Sequence, residues 1–112
     1  VFATFQEAWQ PRTVATLNDY DIRLVRVLGE FTRHSHPDTD ELFVVLEGEM
    51  TIRMDAGDVH LKAGQLTVVP RGDPAVHQPV SERGAQVMLV EPSSTVNTGD
   101  AGGPLTAQRR VI

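Results

Sequence analysis

Short apolar runs recur along the chain, broken at close intervals by Gly, Pro, Asn and Asp. Runs at 13–17, 20–28, 42–46, 50–54, 59–61, 66–69, 76–80 and 85–91 read as strands, because they are rich in Val, Ile, Leu and Thr and no longer than a strand needs. Between them, Asn18-Asp19, Glu47-Gly48-Glu49, Asp55 to Asp58, Lys62-Ala63-Gly64, residues 70–74 and residues 81–84 read as turns or loops. Regular short strands joined by glycine-bearing turns predict an all-β fold, a small antiparallel sandwich or barrel. The run at 42–46 is apolar on both faces: with Phe43 and Val45 turned inward, Leu42, Val44 and Leu46 need cover from a partner subunit or from the N-terminal arm.

The ends read differently. Residues 1–10 space Phe2, Phe5 and Trp9 three or four apart, which predicts an arm with at most one helical turn, its aromatics packed on the outside of the barrel. Residues 92–112 are rich in Gly, Pro, Ser and Thr and read as an irregular strap over the barrel or a frayed end; the sharper alternative has them closing the barrel mouth or crossing to a partner. At 112 residues a single domain is expected, with an arm and first strand at 1–20, a core at 21–91 and a tail at 92–112.

Ten Lys and Arg against 15 Asp and Glu give a net charge of -5, with Arg109 and Arg110 the only adjacent basic pair. That scatter argues against a nucleic-acid partner, which would need a basic stripe. The absence of cysteine removes disulfides and thiolate ligands, so any metal must be held by nitrogen and oxygen. No apolar run reaches the length of a spanning helix, so no membrane partner is expected and a cytoplasmic location is the default; that the sequence opens on Val1 weakens the inference.

Candidate chemistry concentrates in 29–48, GEFTRHSHPDTDELFVVLEG. In an extended segment residues i and i+2 face the same way, so His34 and His36 project together, and Glu41 can lean in from the strand that follows the 37–40 turn. Asp38 and Asp40 rival Glu41 but sit in the turn. His77, beyond Gly64, Pro70 and Gly72, is a fourth candidate, whereas His60 on a hairpin strand reads as an ordinary surface residue. Arg71 is the one cation expected on a loop near the site.

Gly29-x4-His34-x-His36-x4-Glu41-x6-Gly48 resembles the first motif of the cupins, small antiparallel β-barrels, one residue short in its opening spacer. Gly64-x5-Pro70-x-Gly72 followed by His77 resembles the second, with four residues before the histidine where the family has two, and Ser81 where it has asparagine. An even insertion keeps His77 on the inward face. The resemblance covers 24–91 and implies a cupin jelly-roll barrel, a homodimer, and one divalent metal held by His34, His36, Glu41 and His77.

Three imidazoles and a carboxylate suit Mn, Fe, Co, Ni, Cu or Zn without choosing among them. Four ligands to an octahedral ion leave two positions for water, dioxygen or a chelating substrate. Neutral imidazoles are required, so metal loss is expected below about pH 6. No separate general base announces itself. The readings are a metal-dependent oxygenase acting on a small organic molecule; a sugar or sugar-phosphate isomerase or epimerase, as small cupins are often labelled similar to mannose-6-phosphate isomerase; or a non-catalytic barrel that binds a small molecule or metal.

Overall fold

A computed structural model describes residues 2–72 and 76–112. Val1, Asp73, Pro74 and Ala75 lie outside the described residues, and with them the end of the expected 70–74 loop and most of the spacer before His77. A single 3-10 turn at Phe2–Thr4 precedes the strands β1 (Arg12–Leu17), β2 (Tyr20–Glu30), β3 (Glu41–Met54), β4 (Val59–Lys62), β5 (Leu66–Val69) and β6 (His77–Pro92). All the strand pairings are antiparallel, in the order β1-β2-β6-β3-β4, with β5 also on β3.

The two longest strands each serve both layers of the jelly roll. The first half of β3 pairs with β5 and the second with β4, while β6 runs beside β3 through both halves. The turns expected at 47–49 and 81–84 are therefore bends inside continuous strands. Register shifts at Val27/Gly29, Val45/Glu47 and Gly48/Thr51 line up across β2, β3 and β6, so the sheet folds over along one corner. Backbones approach closely there: a Cβ on Gly48 (φ 82°) would stand 2.5 Å from the Gly84 carbonyl oxygen. In sequence such a bend looks like a turn, because both need glycine at positive φ. Only the neighbouring strands, which keep pairing on either side, distinguish them.

Strand alternation builds the interior. Val25, Val27, Phe43, Val45, Val87 and Leu89 from one layer meet Met50, Ile52 and Leu61 from the other, all buried. Trp9 joins this core, 8% exposed and stacked on Phe31 with ring centroids 4.7 Å apart. The expectation of an arm carrying its aromatics outside is corrected here. Trp9 takes φ 62°, which turns the chain so that the indole enters the barrel, and its Nε1–H is satisfied by the Leu28 carbonyl at 2.8 Å.

On the outer face, Leu42 pairs with Val68 and Val44 with Leu66, and Leu66 and Val68 are 61% and 54% exposed. The arm packs elsewhere, Ala8 bridging Arg26. The tail is strapped down rather than frayed: Arg109 makes two bonds to the Asp21 carboxylate, at 2.7 and 3.0 Å.

Candidate metal centre

His34 and His36 lie on the segment leaving β2, and this segment pairs with the start of β6. His34 N donates to the His77 carbonyl at 2.9 Å and His77 N to the His34 carbonyl at 2.8 Å, setting the two rings 4.3 Å apart between centroids. The i, i+2 relation brings His36 to the same side, 4.9 Å from His34. Glu41, first residue of β3 and opposite Val69 of β5, reaches the cluster from the adjacent strand. Glu41 Oε1 lies 3.4 Å from His36 Nε2 and 3.5 Å from His77 Nε2, and one ligating atom from each of the four residues falls within 4.8 Å of the others.

All four side chains are buried, none more than 5% exposed. Buried polar atoms are normally hydrogen-bonded. Yet His36 Nε2 and Glu41 Oε1 have no hydrogen-bond partner among the described residues, and their separation exceeds a normal bond length. A cation between them would satisfy both, so the cluster fits a single metal ion. His34 is oriented for it: its Nδ1 donates to the Thr32 carbonyl at 2.7 Å, leaving the Nε2 lone pair free to ligate. Burial, reinforced by the nearby His77, pushes the His34 pKa down to about 4, so its ring is neutral at physiological pH.

Behind the cluster runs a row of inward carboxylates. Asp21 of β2 is paired in register with Glu91 of β6, and one step beyond the Leu42–Val90 pair Glu91 faces Glu41. Burial and the charge of Glu41 push the Glu91 carboxyl well above its usual range. Burial alone would also raise Glu41, but the Glu91 carboxyl and the His36 and His77 imidazoles outweigh it and hold Glu41 well below. Glu91 thus keeps the proton and Glu41 the charge. Arg23, 4% exposed, ties the row together with bonds to Glu91 at 2.8 Å and Asp21 at 3.2 Å. Arg109 bonds and depresses Asp21 most strongly. One buried anion, Asp21, thus faces two guanidinium ions, while Glu41 faces the proton-bearing Glu91.

A cavity of about 30 Å³ adjoins His34 and Glu41, walled mainly by apolar side chains including Phe31, Phe43, Met50 and Leu89. Asn97 is its one further polar wall, and no Lys or Arg lines it among the described residues.

The sequence candidates sort cleanly. His34, His36, Glu41 and His77 come together. Asp38 and Asp40 are exposed, and Asp40 accepts from the Arg71 backbone and guanidinium at 3.0 and 3.2 Å, which occupies the loop cation. His60 is exposed and bonded to Thr51. Ser81 bonds the Glu49 carbonyl at the sheet corner, 2.7 Å away. Sequence reasoning missed Asp21, Arg23, Glu91 and the tail residue Asp100. The available signal was charge at inward register positions of apolar strands, where it is costly unless paired.

A family model described as Cupin domain matches residues 24–91. Over 61 residues the chain is 43% identical to the uncharacterized protein YdbB of Bacillus subtilis (strain 168); the match covers 54% of each, about half the length of that curated relative. The crystal structure of a cupin-2 domain containing protein from Shewanella frigidimarina is 41% identical with a TM-score of 0.78, over 81% of this chain and 87% of that one. A cupin superfamily sugar phosphate isomerase from Silicibacter pomeroyi is 29% identical with a TM-score of 0.60, over 71% of this chain and 54% of that one.

Proposed function

The chain belongs to the cupin family, and on that footing we propose that it is a metal-dependent enzyme of the oxygenase kind, acting on a small, largely apolar organic molecule. The observation that carries this is the wall of the cavity beside His34 and Glu41, apolar and without a cation among the described residues. His34, His36, Glu41 and His77 hold one divalent ion. When bound, that ion supplies Lewis-acid or redox activation of what coordinates it. The chain supplies the rest: neutral imidazoles, a carboxylate kept ionised by its proton-bearing neighbour Glu91, and apolar walls that exclude water and orient a substrate by shape.

The likeness to the sugar phosphate isomerase favours a second reading, isomerisation of a phosphosugar. A phosphate would need a cation at the cavity, and Arg71 is spent on Asp40. We also place a second copy of the chain on the outer face of β3 and β5, where Leu66 and Val68 are exposed. Elemental analysis of wild type and His36→Ala, purified without chelator, tests the main reading: near-stoichiometric Fe, Mn, Ni or Cu, lost in the variant, together with oxygen uptake on small phenolic compounds, is expected. Zinc alone, with a phosphosugar raising the melting temperature, would overturn it in favour of the isomerase. No metal in either protein would leave a ligand-binding barrel.

A further inference from the structure

Trp9 touches two separate spaces. On its inner side it lines the 30 Å³ cavity beside His34 and Glu41. On its outer side, with Pro11, it lines an open cleft of about 360 Å³ between the N-terminal arm and residues 104–110 of the tail. A volume of 30 Å³ holds little more than a water molecule or two. An organic substrate needs more room than that beside His34 and Glu41, and Trp9 is the aromatic wall this space shares with the larger cleft.

Trp9 is suited to be a wall that moves. Its φ of 62° lies in the left-handed region, unusual for a bulky side chain and a mark of functional strain when the surroundings enforce it. What enforces it is local and polar. The Trp9 backbone N donates to Arg26 O at 2.8 Å, its indole N–H to Leu28 O at 2.8 Å, and its carbonyl accepts from Asn97 Nδ2 at 3.3 Å. Asn97 in turn binds the tail on the cleft side, donating to Leu105 O at 2.9 Å and accepting from Ala107 N at 2.9 Å. Arm, tail and cavity therefore meet at one side chain and one amide. On the inner side the indole stacks on Phe31, and Phe31 meets the His34 ring edge-on at 5.5 Å.

We propose that Trp9 is the movable wall of the cavity, that molecules reach the metal side through the arm–tail cleft when the indole swings out, and that Asn97 latches it shut. Trp9 thus sets the size of the molecule admitted. This rests on the metal-site reading above and deepens it: the ligand is a small planar apolar molecule, about the size of the indole it displaces.

Trp9 is the only tryptophan in the chain, so its emission reports the wall directly. Phenol serves as the probe, titrated into wild type, Trp9→Leu and Asn97→Ala, with cobalt(II) binding read by visible absorption on the same samples. Phenol should red-shift the wild-type emission in step with occupancy, bind about tenfold more tightly to Trp9→Leu, and bind severalfold more tightly to Asn97→Ala, where the indole remains. Unshifted emission with wild-type affinity in Asn97→Ala would overturn the proposal, even if Trp9→Leu failed to fold. Loss of cobalt binding by wild type would instead overturn the metal reading, with the phenol data still deciding the wall.

Discussion

Asp100 grips Ser35, the residue between the two histidines of the first motif. Ser35 N donates to Asp100 Oδ1 at 2.9 Å and Ser35 Oγ to Oδ2 at 3.2 Å, while Asp100 N returns a bond to the Ser35 carbonyl at 3.0 Å. The tail therefore holds the backbone that aims His34 and His36. Partners that orient ligands in this way typically matter 10- to 100-fold for metal affinity. Asp100→Ala is expected to weaken cobalt(II) binding by about tenfold or more, with Asp100→Asn recovering part of the loss through its remaining acceptor. A cobalt titration giving equal affinity for all three proteins would show that the grip is incidental.

Gly99 tolerates no side chain. At φ 55° its added Cβ would overlap the Ser35 carbonyl oxygen and stand 3.0 Å from His34 Cδ2. Gly99→Ala should cost about 1 to 3 kcal/mol of stability from the backbone conformation alone, and more from the overlap. Thermal unfolding of the metal-free protein reads this, and an unchanged midpoint would contradict it.

Arg23 is the central cation of the buried acid row, bonded to Asp21, Glu91 and the Ser93 and Thr95 carbonyls. Removing one side of such a pair leaves uncompensated buried charge and typically costs about 3 to 5 kcal/mol. Arg23→Met should lose that much in urea unfolding, and an added Asp21→Asn should restore part of it. Strictly additive losses in the double variant would mean that Arg23 acts only by packing.

Acid should destabilise the metal-free protein earlier than carboxylate titration alone would bring about. The folded His34 pKa is about 4 against an ordinary 6.5. Between those values the unfolded chain binds a proton that the folded chain refuses, so stability is complete above pH 6.5 and falls as pH drops toward 4. The gap is worth roughly 3 kcal/mol at 1.36 kcal/mol per pKa unit. Urea midpoints at pH 7, 5.5 and 4 should decline in that order, and His34→Gln should flatten the decline. Proton competition at this ligand accordingly sets in nearer pH 4 than the pH 6 that a free imidazole leads one to expect.

Val68→Glu places a charge on the exposed β5 face opposite Leu42. If a second copy covers that face, the variant should run as a monomer in light scattering where wild type runs as a dimer, because an unpaired charge buried in an interface costs several kcal/mol. A wild-type monomer would remove the proposed dimer.

Much of the site was written locally. His34, His36 and Glu41 sit within eight residues, and strand parity alone turns the two histidines to one side. His77 was singled out by its motif, and the structure places it beside His34, although most of the spacer before it lies outside the described residues. The inward facing of Phe43 and Val45 likewise follows from strand parity, and both are buried. These features depend on residues near one another in the chain, or on a period of two, and both survive without knowledge of who pairs with whom.

What the tertiary structure alone decided were relations across strands and from the ends. Gly48 and Gly84 read as turn residues until neighbouring strands show that the ladder continues past them. Glu91 meets Glu41 only because of the β3–β6 register, and the exposed Arg109 becomes a partner of the buried Asp21 and Arg23 pair only once the tail is laid over Asp21. Trp9 enters the core through a backbone angle that its residue type disfavours. A sequence constrains what each residue prefers locally. Long-range register and the balance of charge at the site are set by the packed whole, where a buried acid, a strained indole and a glycine-lined tail are tolerated because their neighbours compensate them.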